Sequence, residues 1–187
     1  MKTLKESILN RSSHGAKGFE VQRRIETIKE WLKEYDIENY IINRDFTIDV
    51  DEDAELFAMD LKEFPDYIQF GVVRGNFNCS SNNLKSLRGA PREVRKSFDC
   101  RWNKLTSLEG APMKVKWYFD CSYNELTSLK GAPEKVGVSF YCSSNRLTSF
   151  EGGPKEVSGT FFCSNNGIKF TEEDVRKVCR VKEKICC

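Results

Sequence analysis

The chain has 187 residues, 39% hydrophobic and 31% charged, with a formal net charge of +2. That length fits one domain with small caps, and the composition excludes a disordered or membrane-embedded chain. The near-neutral balance gives no strong pull toward nucleic acid or a membrane surface, and no stretch approaches the roughly 20 apolar residues of a spanning helix.

From Met1 to Asn10 charged and apolar residues alternate, without the continuous apolar segment of a secretory signal. A cytoplasmic location, in the producing or a host cell, is therefore expected. A short helix is expected over Thr3 to Leu9, and Ser12 to Gly18 reads as a loop. The only histidine, His14, sits in that loop, where a solvated side chain is the ordinary reading. Gly15-Ala16-Lys17-Gly18 lacks the spacing and the preceding strand of a phosphate-binding loop.

Phe19, Val21, Ile25, Ile28, Trp31, Leu32 and Tyr35 are spaced as the apolar stripe of a helix over Phe19 to Tyr35. Tyr40 to Ile42 and Phe46 to Val50 read as two strands around the turn Asn43-Arg44-Asp45. Leu56 to Phe70 reads as a degenerate first repeat, with Leu61-x-x-Phe64-Pro65 echoing the Leu-x-x-Leu of the later units.

The next hundred residues are periodic. Cys79, Cys100, Cys121, Cys142 and Cys163 stand 21 residues apart. A Phe precedes each by two positions, from Phe77 to Phe161, and an Asn follows each by three, from Asn82 to Asn166. Leu84, Leu105, Leu126, Leu147 and Ile168 keep step, as do Leu87, Leu108, Leu129 and Phe150. Gly-x-Pro comes next, as in Gly110-x-Pro112, and a Val closes each unit, as at Val94 and Val115.

Each unit has a direct physical reading. Phe-x-Cys alternates with period two, so both side chains face one side of a short strand. The Asn amide both donates and accepts, so it satisfies backbone groups opened by the turn. Leu-x-x-Leu returns to the interior, and Gly-x-Pro bends the chain. One unit cannot bury its apolar face alone, but stacked units can, in parallel register about 4.8 Å apart. Buried free Cys packs as a small hydrophobe, and a straight column is the wrong shape for a tetrahedral metal site. The cysteines are therefore expected to pack, reduced, rather than to bind metal or form disulfides.

Phe98-x-Cys100-x-x-Asn103-x-Leu105-x-x-Leu108 resembles the leucine-rich-repeat core. The short unit with its Gly-Ala-Pro turn resembles the compact repeats of bacterial and phage proteins, over about residues 56 to 170. The resemblance implies an α+β architecture. Residues 1–50 would form a helical and hairpin cap, 51–170 a solenoid with a parallel sheet, and 171–187 a helical cap. The residue before the strand lies four positions ahead of the Phe where the family has three, so a bulge is expected there. Some leucine-rich-repeat effectors carry a ubiquitin-ligase domain after the repeats, and the roughly 17 residues after the last unit are too few for one.

Thr171 to Asp174 has the form of a capping box, and Val175, Val178 and Val181 suggest a closing helix from Thr171 to about Lys184. The terminal pair Cys186-Cys187 matches a lipidation signal only weakly.

No serine elbow, paired-histidine motif or phosphate loop appears, so neither catalysis nor a cofactor or metal is expected. The variable columns carry the functional expectation. Asp99, Arg101, Trp102, Tyr118, Asp120, Tyr123, Tyr141 and Phe162 should point outward from the strands, on a concave face. Exposed Tyr, Trp, Phe and Arg dominate protein interfaces, so a protein-binding module is expected; the plain alternative is that they only shield the sheet. A second expectation is nucleic-acid binding. Residues 47–66 hold 8 acidic and 1 basic residue, while residues 67–187 hold 20 basic and 12 acidic. The basic ones, such as Lys85, Arg92, Lys104, Lys114, Lys130 and Lys155, read as scattered over turns. A third expectation is a structural or host-interaction part of a phage or mobile element.

Overall fold

The computed structural model describes residues 15–187. The helix expected over Thr3 to Leu9 and the loop residue His14 lie outside the described residues.

Helix α1 (Gly15–Glu34) starts earlier than the apolar spacing suggests, so residues 15–18 are helical rather than loop. Adding a residue to an existing helix costs far less than starting one, so the strong formers downstream carry it past Gly18. Phe19 is 73% exposed, whereas Ile28, Trp31 and Leu32 are buried. The Trp31 ring lies 6.5 Å from that of Phe64 and 6.2 Å from that of Phe70. The second half of α1 is thus the lid on the apolar interior.

The expected hairpin comes next. Strand β1 (Tyr40–Ile42) runs antiparallel to β2 (Ile48–Val50), with Tyr40 opposite Val50 and Ile42 opposite Ile48. Asp45 holds the turn by accepting from the Thr47 N–H at 3.1 Å. The other edge of β2 pairs in parallel with a later strand, so β2 is both hairpin arm and first rung of the solenoid.

From there the chain winds through seven coils, each supplying two short strands to two parallel sheets. The first coil gives β2 and β3 (Ala54–Glu55), and the second gives β4 (Phe70–Val73) and β5 (Phe77–Asn78). The next three give β6 (Glu93–Val94) and β7 (Phe98–Asp99), β8 (Lys114–Val115) and β9 (Phe119–Asp120), then β10 (Lys135–Val136) and β11 (Phe140–Tyr141). The sixth gives β12 (Glu156–Val157) and β13 (Phe161–Phe162). The even-numbered strands and β1 make the first sheet; β3 and the other odd-numbered strands make the second. The architecture is an α+β parallel solenoid, with a helix near each end of the described chain.

Two sheets, not one, explain the four-residue step from Val to Phe. Val94 ends β6 on the first sheet and Phe98 opens β7 on the second. Arg95, Lys96 and Ser97 turn the corner, and no bulge is needed. Both side chains point inward and are buried.

The interior is a set of ladders. Phe77, Phe98, Phe119, Phe140 and Phe161 are fully buried, with successive ring centroids 5.5, 5.3, 5.4 and 5.1 Å apart. Full burial of each such ring contributes about 1.5–3 kcal/mol. Gly89, Gly110 and Gly131 adopt φ of 95°, 93° and 94° at the Gly-x-Pro turns. A Cβ on Gly110 would stand 2.7 Å from the Leu87 carbonyl oxygen, so neighbouring coils touch through this glycine.

The C-terminal segment departs from expectation. Thr171 does open a helix with a reciprocal capping box to Asp174, but α2 spans only Glu172–Arg176. The chain then returns to the solenoid as β14 (Arg180–Val181), paired with β12, and β15 (Ile185–Cys186), paired with β13. Val181 stacks on Val157 and Ile185 on Phe161, in the same columns as every earlier coil. The parallel edges of β12 and β13 offer backbone partners for all four residues, which outweighs the helical spacing of three valines. Cys187 continues the cysteine column and forms a disulfide with Cys163, with Cα atoms 4.6 Å apart. The expectation of a fully reduced column fails at this rung; Cys79, Cys100, Cys121, Cys142, Cys179 and Cys186 are free.

Candidate functional site

The open face of the second sheet is built by the residue between each buried Phe and Cys. Asp99, Asp120, Tyr141 and Phe162 are partners on four consecutive rungs. They form one outward column, because successive strand residues point to opposite faces. Burial alternates accordingly, with the Phe inside and its successor half-buried on β7, β9, β11 and β13.

The column changes character along the solenoid. Its acidic part is held internally. Asp99 Oδ1 accepts from the Arg101 N–H at 3.0 Å, and Asp120 Oδ1 from the Ser122 N–H at 2.9 Å. The Arg101 guanidinium lies 3.2 Å from Asp99 and 3.8 Å from Asp120, bridging two rungs. Burial pushes the Asp99 carboxyl up to about 6, and the neighbouring Asp120 carboxylate adds to it. These three residues therefore have structural work on this face.

The aromatic part is held mainly by ring contacts instead. Tyr141 and Phe162 stack at 4.4 Å and 4°. Tyr118, one position before its Phe, lies 6.2 Å from Tyr141. Burial raises the Tyr141 hydroxyl above its usual range, against a hydrogen bond with Ser139 that lowers it.

Trp102 and Tyr123 lie on the opposite margin, two positions after the Cys, and stack at 3.8 Å and 7°. Both adopt left-handed φ, 55° and 56°, at a position where Ser81, Ser144 and Asn165 do the same. This conformation costs a non-glycine residue roughly 1–2 kcal/mol. It turns the chain out of the strand and brings the next residue, Asn103 or Asn124, inward. Trp102 is 53% exposed and Tyr123 44%.

The eight candidate residues thus form three groups: the Asp99–Arg101–Asp120 cluster, the Tyr118–Tyr141–Phe162 patch and the Trp102–Tyr123 pair.

The first sheet has an open face that the linear sequence does not reveal. Val73, Val94 and Val115 are register partners, so Arg74, Arg95 and Lys116 follow them at equivalent places on three rungs. Lys114 sits directly beside Lys135. Arg74 pairs with Asp51, Arg95 with Glu93 at 3.4 Å, and Lys135 with Glu156 at 3.4 Å. A groove runs along this sheet, with Ala111, Met113, Val115 and Ala132 among its walls and Lys114, Lys116 and Lys135 beside them. The signal is present as the residue after Val73, Val94 and Val115, though Gly137 and Ser158 take that place on the next two rungs, and it has meaning only once those valines are known to form a sheet of their own. Of the lysines and arginines that read as scattered, Lys114 belongs to this face.

Among the described residues no set of three His, Cys, Asp or Glu side chains is placed to hold a metal ion, and no helix is long and apolar enough to cross a membrane.

The fold defines a class, the parallel β-solenoid repeat proteins. Compared with protein-family models, curated proteins and solved structures, the chain matches none.

Proposed function

We propose that the chain is a non-enzymatic binding module of the leucine-rich-repeat kind, with short bacterial or phage-type units, that engages a protein partner in the cytoplasm through the open face of its second sheet. The observation that carries this reading is the arrangement of Tyr118, Tyr141, Phe162, Trp102 and Tyr123. Five aromatic side chains stand on the rungs rather than sunk in the core, as two stacked pairs with Tyr118 tilted beside Tyr141. Aromatic anchors dominate binding energy where they occur, and holding them rigid in advance reduces the entropy lost on association. The Leu-x-x-Leu columns and the Asn ladder support the leucine-rich assignment of the repeat.

The test is affinity capture with mass spectrometry, comparing the wild type with the double variant Tyr118→Ala/Tyr141→Ala. Partners captured by the wild type should be lost from the variant, while its circular dichroism and thermal unfolding stay unchanged. Equal capture by both would place the binding surface elsewhere.

A second reading, nucleic-acid binding, is favoured by the first sheet, where Arg74, Arg95 and Lys116 repeat at the spacing of the rungs. Phosphate-dominated binding weakens steeply with salt. A gel shift that disappears on raising salt, and in the variant Lys114→Glu/Lys116→Glu, would support it. A shift that is absent or insensitive to salt would remove it.

A further inference from the structure

The first sheet ends at β1, and no strand among the described residues pairs with its outer edge. Backbone geometry fixes which groups that edge offers. Asn43 N–H donates to the Thr47 carbonyl at 2.8 Å, and Asp51 N–H to the Asn39 carbonyl at 2.9 Å. In an antiparallel ladder inward-bonding residues alternate with outward-facing ones. Residues 39, 41 and 43 therefore bond inward to β2, and Tyr40 and Ile42 turn their N–H and C=O groups toward the open edge.

An uncovered strand edge is a template for another strand, and this one is apolar. Its sequence is Tyr-Ile-Ile, and Ile41 is 55% exposed. We propose that the protein forms a two-fold homodimer in which β1 pairs antiparallel with β1 of a second copy, joining the two first sheets edge to edge.

The register follows from symmetry and charge. With the two-fold axis at Ile41, Tyr40 of one copy faces Ile42 of the other, and four main-chain hydrogen bonds close the pair. The two Ile41 side chains meet on one face as a non-hydrogen-bonded pair, the geometry in which cross-strand side chains come closest. Antiparallel pairing brings the start of β1, preceded by Glu38, beside the end of the other copy's β1, followed by Arg44, once on each side of the axis. Both residues are exposed in the single chain. A slip of one residue would set the inward-bonding Ile41 opposite the outward-facing groups of Tyr40 or Ile42, and the ladder could not close. Asn39, at φ 51°, turns the chain away at one end of the strand, which keeps the pairing short. An isologous contact uses the β1 edge of both copies, so the assembly closes at two. This inference does not depend on the second-sheet reading of function.

Light scattering after size exclusion, over a wide concentration range, tests it. The wild type should approach twice 21.6 kDa at high concentration. Ile41→Lys should remain monomeric with unchanged thermal unfolding, since Ile41 lies on the surface. Arg44→Glu should weaken association by at least about tenfold, because it sets like charges beside each other at both ends of the pair, and Glu38→Arg/Arg44→Glu should restore it. A wild type that stays monomeric throughout, a dimer that Ile41→Lys leaves intact, or a double variant as weak as Arg44→Glu alone would overturn the proposal.

Discussion

The side-chain amide of Asn103 donates to the carbonyl of Cys79, 24 residues earlier, at 3.0 Å. The same amide reaches the carbonyls of Cys100 and Arg101 at 3.2 and 3.3 Å, and its Oδ1 accepts from the Leu84 N–H at 2.8 Å. One buried side chain closes the turn of its own coil and ties it to the coil before. Asn82, Asn124, Asn145 and Asn166 form equivalent contacts.

Replacing one of these residues should therefore be costly. Asn124→Ala strands the Leu105 N–H, while the Cys100 and Cys121 carbonyls each lose one of two amide donors and keep Asn103 and Asn145. At about 1–3 kcal/mol for a buried group left unpaired, the loss should fall in that range. Urea unfolding measures it, and a loss below about 1 kcal/mol would contradict the role assigned to the ladder.

The cysteine column should be chemically silent in the folded protein. Burial pushes the Cys100, Cys121 and Cys142 thiols well above their usual range, and nearby acidic groups push the same way. The thiolate is the reactive form. Ellman's reagent should leave these three unmodified in the native state and reach them after unfolding in guanidinium. Rapid native modification, located by peptide mass, would contradict their burial.

Asp99 should make stability fall as pH rises from about 4 to 6. Its carboxyl sits at about 6 in the fold, against 3.8 as the ordinary value. In that window the folded state binds more proton than the unfolded one, so raising the pH favours unfolding. Asp99→Asn removes the effect. The variant should match the wild type near pH 4 and exceed it at pH 7 by on the order of 2 kcal/mol. The Asp99 side chain is 23% exposed, so solvent screening reduces rather than abolishes the difference. Denaturant curves at several pH values give the measurement; a difference that does not change with pH would refute it.

The last coil separates two valines that a helix would treat alike. Val178 is 48% exposed, and Val181 is buried on Val157. Val178→Asp should change stability by no more than about 0.5 kcal/mol, the usual range for surface positions. Val181→Asp buries an unpaired carboxylate and should cost more than about 2 kcal/mol. Equal losses in thermal unfolding would restore the helical reading of this segment.

Much of the fold is legible in the chain because the repeat is strict. Phe98, Cys100, Asn103, Leu105 and Leu108 fall into columns that only stacked coils can bury, and the structure buries every one. The terminal coils are harder to read. The first has Ala54 and Leu56 where later coils have Phe and Cys, and the last has Ile185 in the place of a Phe. In both, the edge of the neighbouring coil selects the conformation, and a local pattern carries no record of that edge. The left-handed turn is also hidden, because it is occupied by Ser81, Trp102, Tyr123, Ser144 and Asn165 rather than by glycine.

The order of residues alone sets the period of the winding and the identity of the buried columns, because apolar burial and amide hydrogen bonding act at fixed residue spacings. That each coil bends between Val and Phe into two sheets emerges only when the coils are stacked. That corner sets the basic side chains Arg74, Arg95 and Lys116 on one face and the aromatic side chains Tyr118, Tyr141 and Phe162 on the other. A residue's outward neighbours lie on adjacent rungs, about 21 positions away along the chain but one strand spacing away in space, so no local stretch of chain can display the face they make together.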